Sequence, residues 1–359
     1  MPRTVLLNPG PVNVTNRVRQ ALMLPDLCHR EKEFSDLMAA IRAKLLQAFA
    51  IEKEFTSVLV SGSGTAALEM AVSSSLSPGR SILVIENGVY GERIGKICDV
   101  YQLKRHTLKL GWGEPPRLED IENELKKNPD IEVVALVHHE TTTGLLNPLK
   151  EVGALARRYE KVFLVDCISS LAGDEIDFTP IDIAAGTANK CIQGFPGVSF
   201  VVFREKELER LRKIPERTLY FNLTGYHKAQ EAGGMLFTPA IPAHYALDVA
   251  LDELIEETVA GRIERYAKAA RFLRAGFEDI GLEFLIPEGW RSNCLTGLRL
   301  PKEVSYEKLH DELKANGFVI YAGQGNLSDN IFRVANMGDI TQEEFKRFLQ
   351  VLKTTLTTS

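Results

Sequence analysis

The sequence has few of the features that mark secreted, membrane-spanning or metal-binding proteins. Its 359 residues include only five cysteines, which is an odd number, and no two of them form a CxxC pair. We therefore expect neither a disulfide framework nor a zinc site, and a reducing cytoplasm suits such a chain. The stretch MPRTVLLNPGPVN has no long apolar core, and no apolar run approaches the roughly 20 residues of a membrane helix. These absences predict a cytoplasmic protein without a membrane partner.

Other absences exclude further classes of function. The net charge is −5 and no lysine- or arginine-rich tract is present, so nucleic acid is not expected as a partner. The stretch SGSGTAA matches neither GxxxxGK[ST] nor GxGxxG, because Ala67 stands where the third glycine belongs. His138 and His139 are adjacent and would face opposite sides of a strand, and HExxH does not occur. No metal site is predicted.

Short apolar runs alternate with helical patterns in the first half of the chain. The runs TSVLV, SILVIE, IEVVALV and VFLV are each followed by polar residues. Such continuous apolar strands predict a mostly parallel sheet that helices cover on both faces. After about Thr238 the pattern changes to a long helical region, interrupted near Gly261, and then to a smaller α+β unit. We predict an N-terminal arm over residues 1–20, a large domain over 21–238 and a small domain over 239–359.

The loops that follow the strands form the candidate site, because open α/β sheets bind ligands at the carboxyl ends of their strands. The first loop offers Ser63, Gly64 and Thr65 at the start of a helix. This arrangement suits a phosphate, although a plain glycine turn with a serine cap has the same residues. The second loop carries Tyr90, whose ring could stack on a flat ligand or pack at the core edge. The third carries threonines 141–143, which could hold a polar ring substituent or cap the next helix.

Two charged residues complete this set. Asp166 ends the run VFLV, where a carboxylate needs solvation or a partner such as a protonated ring nitrogen, unless it only caps a helix. Lys190 lies in the polar turn GTANKCIQG. Together the loops suit a ligand with a phosphate, an aldehyde, and a flat ring bearing a hydroxyl and a basic nitrogen, and pyridoxal phosphate has all of these. Lysine condenses with aldehydes, and an acidic residue on the ring nitrogen makes the ring an electron sink.

A family resemblance runs through nearly the whole chain, from Leu6 to Ile340. The stretches LLNPGPVNV, SGSGTAALE, NGVYGER, HHETTTGLLNP, LVDCISSLAG, ANKCIQGFPG, FTPAIPAH and FRVANMGDI resemble class V aminotransferases of the fold-type-I pyridoxal phosphate superfamily. HETTTG and ANKCIQG are typical of the branch that transfers an amino group from 2-aminoethylphosphonate to pyruvate. The resemblance implies an α/β fold in which helices sandwich a mostly parallel seven-stranded sheet, with a smaller C-terminal α+β domain.

The resemblance also implies a role for each matching residue. Lys190 would bind the aldehyde of pyridoxal 5′-phosphate and then act as the base, and Asp166 would pair with the ring nitrogen. Thr238 would reach the cofactor phosphate of the neighbouring subunit, which implies a homodimer with shared active sites. The residues implied to contact the cofactor are Ser63, Gly64, Thr65, Tyr90, Thr141, Asp166, Asn189, Lys190 and Thr238. Those implied to bind or border the substrates are Arg333, Asn8, Pro9 and Gly10.

The implied reaction is a ping-pong transamination with an amine donor and a 2-oxo acid acceptor. A first alternative takes alanine or serine as donor and glyoxylate or pyruvate as acceptor, and a salt bridge between domains is the other interpretation of Arg333. A second is a lyase or desulfurase, in which Cys191 or Cys167 would attack sulfur. A third is a protein that binds a phosphorylated ligand without catalysis. Segments 225–237 and 287–300 match the branch loosely and leave the donor open.

Overall fold

A computed structural model describes residues 3–357 of the chain. Their β-strands are β1 (Val5–Leu6), β2 (Phe55–Gly62), β3 (Ser81–Glu86), β4 (Arg105–Lys109), β5 (Ile131–Val137), β6 (His139–Glu140), β7 (Leu145–Leu146), β8 (Val162–Asp166), β9 (Ile183–Thr187), β10 (Gly197–Arg204), β11 (Leu295–Arg299), β12 (Phe318–Val319), β13 (Tyr321–Ala322) and β14 (Ile331–Ala335). Their α-helices are α1 (Asn16–Ala21), α2 (Lys32–Ala48), α3 (Gly64–Ser75), α4 (Val89–Val100), α5 (Leu118–Lys127), α6 (Leu149–Arg158), α7 (Leu208–Leu211), α8 (Leu223–Glu231), α9 (Ile241–Glu257), α10 (Val259–Ile280), α11 (Tyr306–Ala315) and α12 (Gln342–Thr357).

A seven-stranded sheet forms the centre of the larger part of the molecule. Its strand order is β2-β10-β9-β8-β5-β3-β4, and β10 alone runs antiparallel to its neighbours. The predicted mostly parallel sheet is therefore confirmed, including its seven strands. Strands β3 and β8 are buried along their whole length, which is why they are apolar without alternation. The parallel strands end at one edge of the sheet, so the loops that carry the predicted cofactor residues meet there.

Helices cover both faces of this sheet. Leu83 and Ile85 of β3 belong to the apolar core on one face, together with residues of α2, α6 and α9. Ile82 and Val84 point to the other face and pack with residues of α3 and α4. This alternation follows from the two-residue period of a strand, which sends successive side chains to opposite faces. The sheet therefore separates two cores, as the resemblance to fold type I implies.

The C-terminal part of the chain forms a second unit with its own core. Strands β11, β14 and β13 make a three-stranded antiparallel sheet, and α10, α11 and α12 supply the helical residues that pack in the same core. Strand β1 pairs in parallel with β12, so the N-terminal residues join this unit before the chain enters the large sheet. Among residues 3–357, none of the helices combines the length and the apolar character needed to cross a membrane.

The predicted helical region after Thr238 is two helices, α9 and α10. The chain turns at Thr258, whose φ is +67° and whose hydroxyl accepts a hydrogen bond from the Gly261 N–H at 3.1 Å. The break therefore lies three residues before Gly261, because the threonine takes the left-handed conformation and also caps α10. Helix α9 packs in a core of the large sheet and not in the C-terminal core. The limits of the domains stay a prediction.

Candidate active site

Asp166 is a buried carboxyl group that has a hydrogen bond at only one of its two oxygens within residues 3–357. It ends β8, and its Oδ1 accepts a hydrogen bond from the Ile168 N–H at 2.9 Å. Its Oδ2 is buried and has no hydrogen-bond partner within residues 3–357. Burial raises the pKa of Asp166 to about 7. A carboxyl group in this state needs a cation or a donor from a ligand to become a stable carboxylate.

Lys190 follows β9 and lies against the N-terminal loop. Its ammonium Nζ donates a hydrogen bond to the carbonyl oxygen of Pro9. Gly10 has a φ of +100°, and a β-carbon there would lie 2.7 Å from the Lys190 Nζ. The pKa of Lys190 is lowered to about 8, mainly by burial and also by the positive charges of Arg333 and Arg93. A lysine with a depressed pKa is a better nucleophile and base near neutral pH.

The predicted phosphate loop starts helix α3. Ser63 is its N-cap residue, but the serine side chain makes no capping hydrogen bond, so the simple serine-cap interpretation is not supported. Thr65 accepts a hydrogen bond through Oγ1 from the Arg93 Nη1 at 3.1 Å. The first N–H groups of this twelve-residue helix and the Ser63 hydroxyl are thus available to a ligand at the strand edge. Asn189, beside Lys190, accepts a hydrogen bond from the Thr187 hydroxyl at 2.9 Å.

The loop with the three threonines caps a helix that precedes it in the chain. The buried Glu140 carboxylate accepts hydrogen bonds from the N–H groups of Tyr90 and Gly91, each at 3.1 Å, in the first turn of α4. Thr142 donates to Glu140 at 2.6 Å and accepts from the Val89 N–H at 3.0 Å. The alternative that these residues cap the next helix is not found, because α6 has no side-chain capping hydrogen bond and the loop contacts the start of α4 instead. The loop fixes the position of Tyr90.

Arg333 lies in β14 and reaches from the C-terminal unit to the strand edge. It is 2% exposed, and its Nε and Nη1 donate to the carbonyl oxygens of Ala322 at 2.8 Å and Thr141 at 2.9 Å. It forms no ion pair with an acidic side chain of residues 3–357, so the predicted alternative of a salt bridge between domains is not found there. The Thr141 hydroxyl has no hydrogen bond within the same residues. Arg333 is thus a buried cation without a direct ion pair among residues 3–357.

The structure brings most of the predicted residues to one edge of the sheet. Asn8 is buried and donates through Nδ2 to the Pro11 carbonyl oxygen at 3.0 Å, which holds the N-terminal loop closed beside Lys190. Thr238 is the exception, because it is exposed and makes no hydrogen bond with the other predicted residues. An exposed position is compatible with a contact to a second subunit, and the single chain does not test that prediction.

Comparisons with known proteins place the chain in a family. The Aminotransferase class-V family model matches residues 18–324. An uncharacterized aminotransferase of Methanocaldococcus jannaschii is 34% identical over 95% of this chain and 90% of its own length. The 2-aminoethylphosphonate–pyruvate transaminase of Salmonella paratyphi C is 35% identical over 98% of this chain and 97% of its own. A solved alanine–glyoxylate aminotransferase from Nostoc sp. is 29% identical, covers 99% of this chain and 96% of its own, and superposes with a TM-score of 0.93. The chain is a class-V aminotransferase.

This membership confirms the predicted enzyme class and its cofactor, pyridoxal 5′-phosphate. The residues of the aminotransferase fit that cofactor. The unpartnered Oδ2 of Asp166 suits a protonated ring nitrogen, since a cation would satisfy the oxygen and favour the charged carboxylate. The uncapped start of α3 suits a phosphate, and the amine of Lys190 suits an aldehyde.

Sequence reasoning missed a buried polar cluster below the site of the aminotransferase. Asp174 accepts hydrogen bonds from the Ser292 hydroxyl at 2.6 Å and from the Asn293 N–H at 2.7 Å. The Ser292 Oγ also lies 3.3 Å from Nδ1 of His139, which precedes Glu140. The loosely matched segment 287–300 is thus tied to the loops that follow β8 and β5. No sequence signal marks Asp174 or Ser292, whereas Glu140 stands visibly before the threonines.

The two cysteines of the desulfurase alternative are not available as nucleophiles. Cys191 and Cys167 are both fully buried. The Cys191 Sγ lies 3.4 Å from the Sγ of Cys294 and points to the Ser169 carbonyl oxygen at 3.6 Å. Burial raises the pKa of Cys167 and of Cys294 well above the ordinary value for a thiol. A thiolate, the form that attacks sulfur, is therefore disfavoured at Cys167, and the Cys191 thiol is enclosed by its neighbours.

Proposed function

We propose that this aminotransferase moves the amino group of 2-aminoethylphosphonate to pyruvate, giving phosphonoacetaldehyde and L-alanine. The observation that carries the proposal is the similarity to relatives named for this activity, which match 97–98% of the chain at 34–35% identity. A second candidate takes alanine or serine as donor and glyoxylate or pyruvate as acceptor. The similarity to the alanine–glyoxylate structure favours it, although at a lower identity of 29%.

We assign the acid groups of both substrates to Arg333. Its guanidinium is buried and carries no acidic partner within residues 3–357, and two of its N–H groups are held by backbone carbonyls. These bonds orient the planar fork, which can then meet the oxygens of a carboxylate or a phosphonate in pairs. The predicted border of Asn8, Pro9 and Gly10 closes the same space from the N-terminal side. One arginine therefore serves donor and acceptor in turn.

We assign the proton transfers to Lys190. Pyridoxal 5′-phosphate, when bound, supplies the electron sink that makes the carbon beside the substrate nitrogen acidic. In the first half-reaction the amine of Lys190 would take the proton from that carbon and give it to the former aldehyde carbon of the cofactor, and in the second half-reaction it would make the same two transfers in reverse. Its lowered pKa of about 8 leaves part of the population neutral near pH 7, as a base requires.

The remaining roles concern how the chain holds the cofactor. Asp166 keeps a positive charge on the ring nitrogen, because an ionised carboxylate at this buried site is stable only beside a cation. Tyr90 would pack on the ring of the bound cofactor, and Thr141 would lie by the ring hydroxyl. The phosphate is held by the start of α3 with Asn189 nearby. The groups that make this phosphate cradle are Ser63, Gly64 and Thr65.

We also propose that the enzyme works in the cytoplasm as a homodimer, with the domain limits predicted above. Thr238 is exposed, and the large apolar side chains Leu219, Tyr220 and Leu236 are exposed in the chain segment that leads to it. Apolar side chains gathered on a surface commonly mark a protein interface. Thr238 would then reach the cofactor phosphate of the partner subunit. A monomer in sedimentation equilibrium at micromolar concentration would contradict this assignment.

The test is a panel of amine donors with pyruvate or glyoxylate as acceptor. We expect turnover with 2-aminoethylphosphonate and pyruvate, and a shift of the cofactor absorbance band when that donor is added alone. Higher kcat/KM for alanine or serine would transfer the assignment to the second candidate. Lys190→Ala should lower kcat at least about 100-fold, since general acid–base steps contribute roughly 10²–10⁴-fold. Lys96→Ala, at an exposed position of α4, is the control, and a Lys190→Ala enzyme as active as this control would refute the mechanism.

A further inference from the structure

Arg93 connects two loops of the cofactor site and has no role so far. It lies in the second turn of α4, and its Nη1 donates to the Thr65 hydroxyl at 3.1 Å. Its guanidinium carbon lies 4.5 Å from the centroid of the Tyr90 ring. Within residues 3–357 it forms no ion pair with an acidic side chain. A cation that is placed between two ligand-binding loops without a carboxylate partner is available to an anion.

Arg93 also interacts electrostatically with the two charged residues of the site. Its positive charge lowers the pKa of Asp166 and the pKa of Lys190. Arg333 acts on Lys190 as well but is not among the main influences on Asp166, and it contacts Thr141 instead. The two arginines therefore flank Lys190 from different directions. Arg333 faces the proposed substrate side, and Arg93 faces the start of α3.

The phosphate cradle lacks a cation of its own. Ser63, Gly64 and Thr65 offer hydroxyl and N–H groups only, while a phosphate monoester carries close to two negative charges at neutral pH. Guanidinium groups bind phosphate oxygens through charge-assisted hydrogen bonds, which are about twice as strong as neutral ones. Arg93 already donates to the Thr65 hydroxyl at 3.1 Å, which places its guanidinium beside the start of α3.

We propose that Arg93 binds the phosphate group of pyridoxal 5′-phosphate. The proposal rests on the proposed phosphate cradle and is independent of the amine donor. Two other roles of the same contacts make different predictions. Arg93 could only orient Tyr90 by stacking, or it could occupy the ring position until the cofactor displaces it. The three roles are distinguished by two properties of an Arg93 substitution. These are whether aldehyde binding becomes weaker or tighter, and whether the change depends on the phosphate of the ligand.

The experiment measures dissociation constants of two aldehydes for the cofactor-free enzyme. Pyridoxal 5′-phosphate and pyridoxal differ only in the phosphate, and both are titrated by absorbance into wild type, Arg93→Gln and Arg93→Lys. We expect Arg93→Gln to weaken pyridoxal 5′-phosphate by roughly 10- to 100-fold, the effect of losing one charged hydrogen bond. Pyridoxal should bind within about twofold of wild type, and Arg93→Lys should recover part of the loss because it keeps the charge.

Arg158→Gln is the control, because Arg158 ends α6 and its guanidinium carbon lies 5.3 Å from the centroid of the Tyr159 ring, which repeats the arginine–tyrosine contact away from the predicted site residues. Inorganic phosphate gives an independent measurement, since it should raise the melting temperature of cofactor-free wild type more than that of Arg93→Gln. Equal weakening of both aldehydes by Arg93→Gln would contradict the proposal and show that Arg93 only orients Tyr90. Tighter binding of both would also contradict it and show that Arg93 occupies the ring position in the cofactor-free enzyme. If wild type binds the two aldehydes with equal affinity, the proposed phosphate cradle is wrong, and the assignment of Arg93 that rests on it is wrong as well.

Discussion

Two buried aspartates, eight residues apart, differ in one respect that separates a ligand site from a structural one. Asp166 ends β8 with one oxygen bonded to a backbone N–H and the other without a partner in residues 3–357. Asp174, in the following loop, has both oxygens bonded, to Ser292 and to Asn293. Burial raises the pKa of both groups, to about 7 and about 6. Burial alone therefore does not distinguish them, and the missing hydrogen bond does.

The difference shows how an unsatisfied buried atom identifies the binding site of a cofactor. A folded protein satisfies nearly all of its buried polar atoms, so an unsatisfied carboxylate oxygen indicates a group that the chain alone does not supply. Asp174 has no such deficit, and its partners belong to the segment 287–300 that joins the C-terminal unit to the strand edge. Its role is to hold the loops of the site together. Asp166 is the residue whose free oxygen can bind a ligand.

Similar effects of substitution at the two aspartates would contradict the distinction between a ligand site and a structural site. The largest effect is expected at Asp166. Asp166→Ala should lower kcat/KM at least about 100-fold, because breaking a buried charge pair costs about 3–5 kcal/mol. Steady-state kinetics with the donor found in the panel, together with the cofactor absorbance band, measure the loss. Activity near wild type would mean that the ring nitrogen has another partner.

Asp174→Ala should affect stability more than catalysis. The Ser292 hydroxyl and the Asn293 N–H would lose their acceptor in a buried place, which lowers the free energy of unfolding by about 1–3 kcal/mol. Urea unfolding of the cofactor-free protein measures this change. Ser170→Ala is the control, since its buried hydroxyl donates a long bond of 3.4 Å to the Cys167 carbonyl oxygen and does not contact Asp174 through its side chain. If Asp174→Ala lost the cofactor as Asp166→Ala does, the two sites would not be separable.

The smallest predicted effect is a pH dependence of the free energy of unfolding, which tests whether Asp166 lacks a partner in the cofactor-free protein. Its folded pKa of about 7 lies above the ordinary value near 3.9, so the protonated folded form is favoured. The resulting stability is fully present below about pH 4 and is lost as the pH rises through 7. Between pH 6 and 8 the cofactor-free wild type should lose about 1 kcal/mol relative to Asp166→Asn, which cannot ionise.

Urea unfolding of both proteins at several pH values gives this difference, and the contributions of all other carboxylates cancel in it. Bound cofactor should remove the loss or reverse it, because a protonated ring nitrogen favours the ionised carboxylate. A difference that is independent of pH in the cofactor-free protein would show that Asp166 is already ionised there and has a partner within the chain.

Sequence patterns were enough to predict a mostly parallel sheet and the residues Asp166 and Lys190, and the family resemblance supplied the number of strands. The apolar strands lack alternation because both of their faces are buried. Asp166 stands out as a charge that ends such a strand, and Lys190 as a charge in a polar turn rich in small residues. The helical break near Gly261 was also visible, although its position at Thr258 depends on a backbone conformation that composition does not reveal.

Only the tertiary structure decided which side chains meet. Glu140 caps α4, some fifty residues earlier in the chain, and Ser292 meets Asp174 across more than a hundred residues. Arg93 reaches Thr65 because α3 and α4 lie side by side on one face of the sheet. Local patterns record how each segment folds, since propensity and periodicity act over a few residues. Contacts between distant segments arise from packing, and for that reason the supporting residues of the site escaped the sequence.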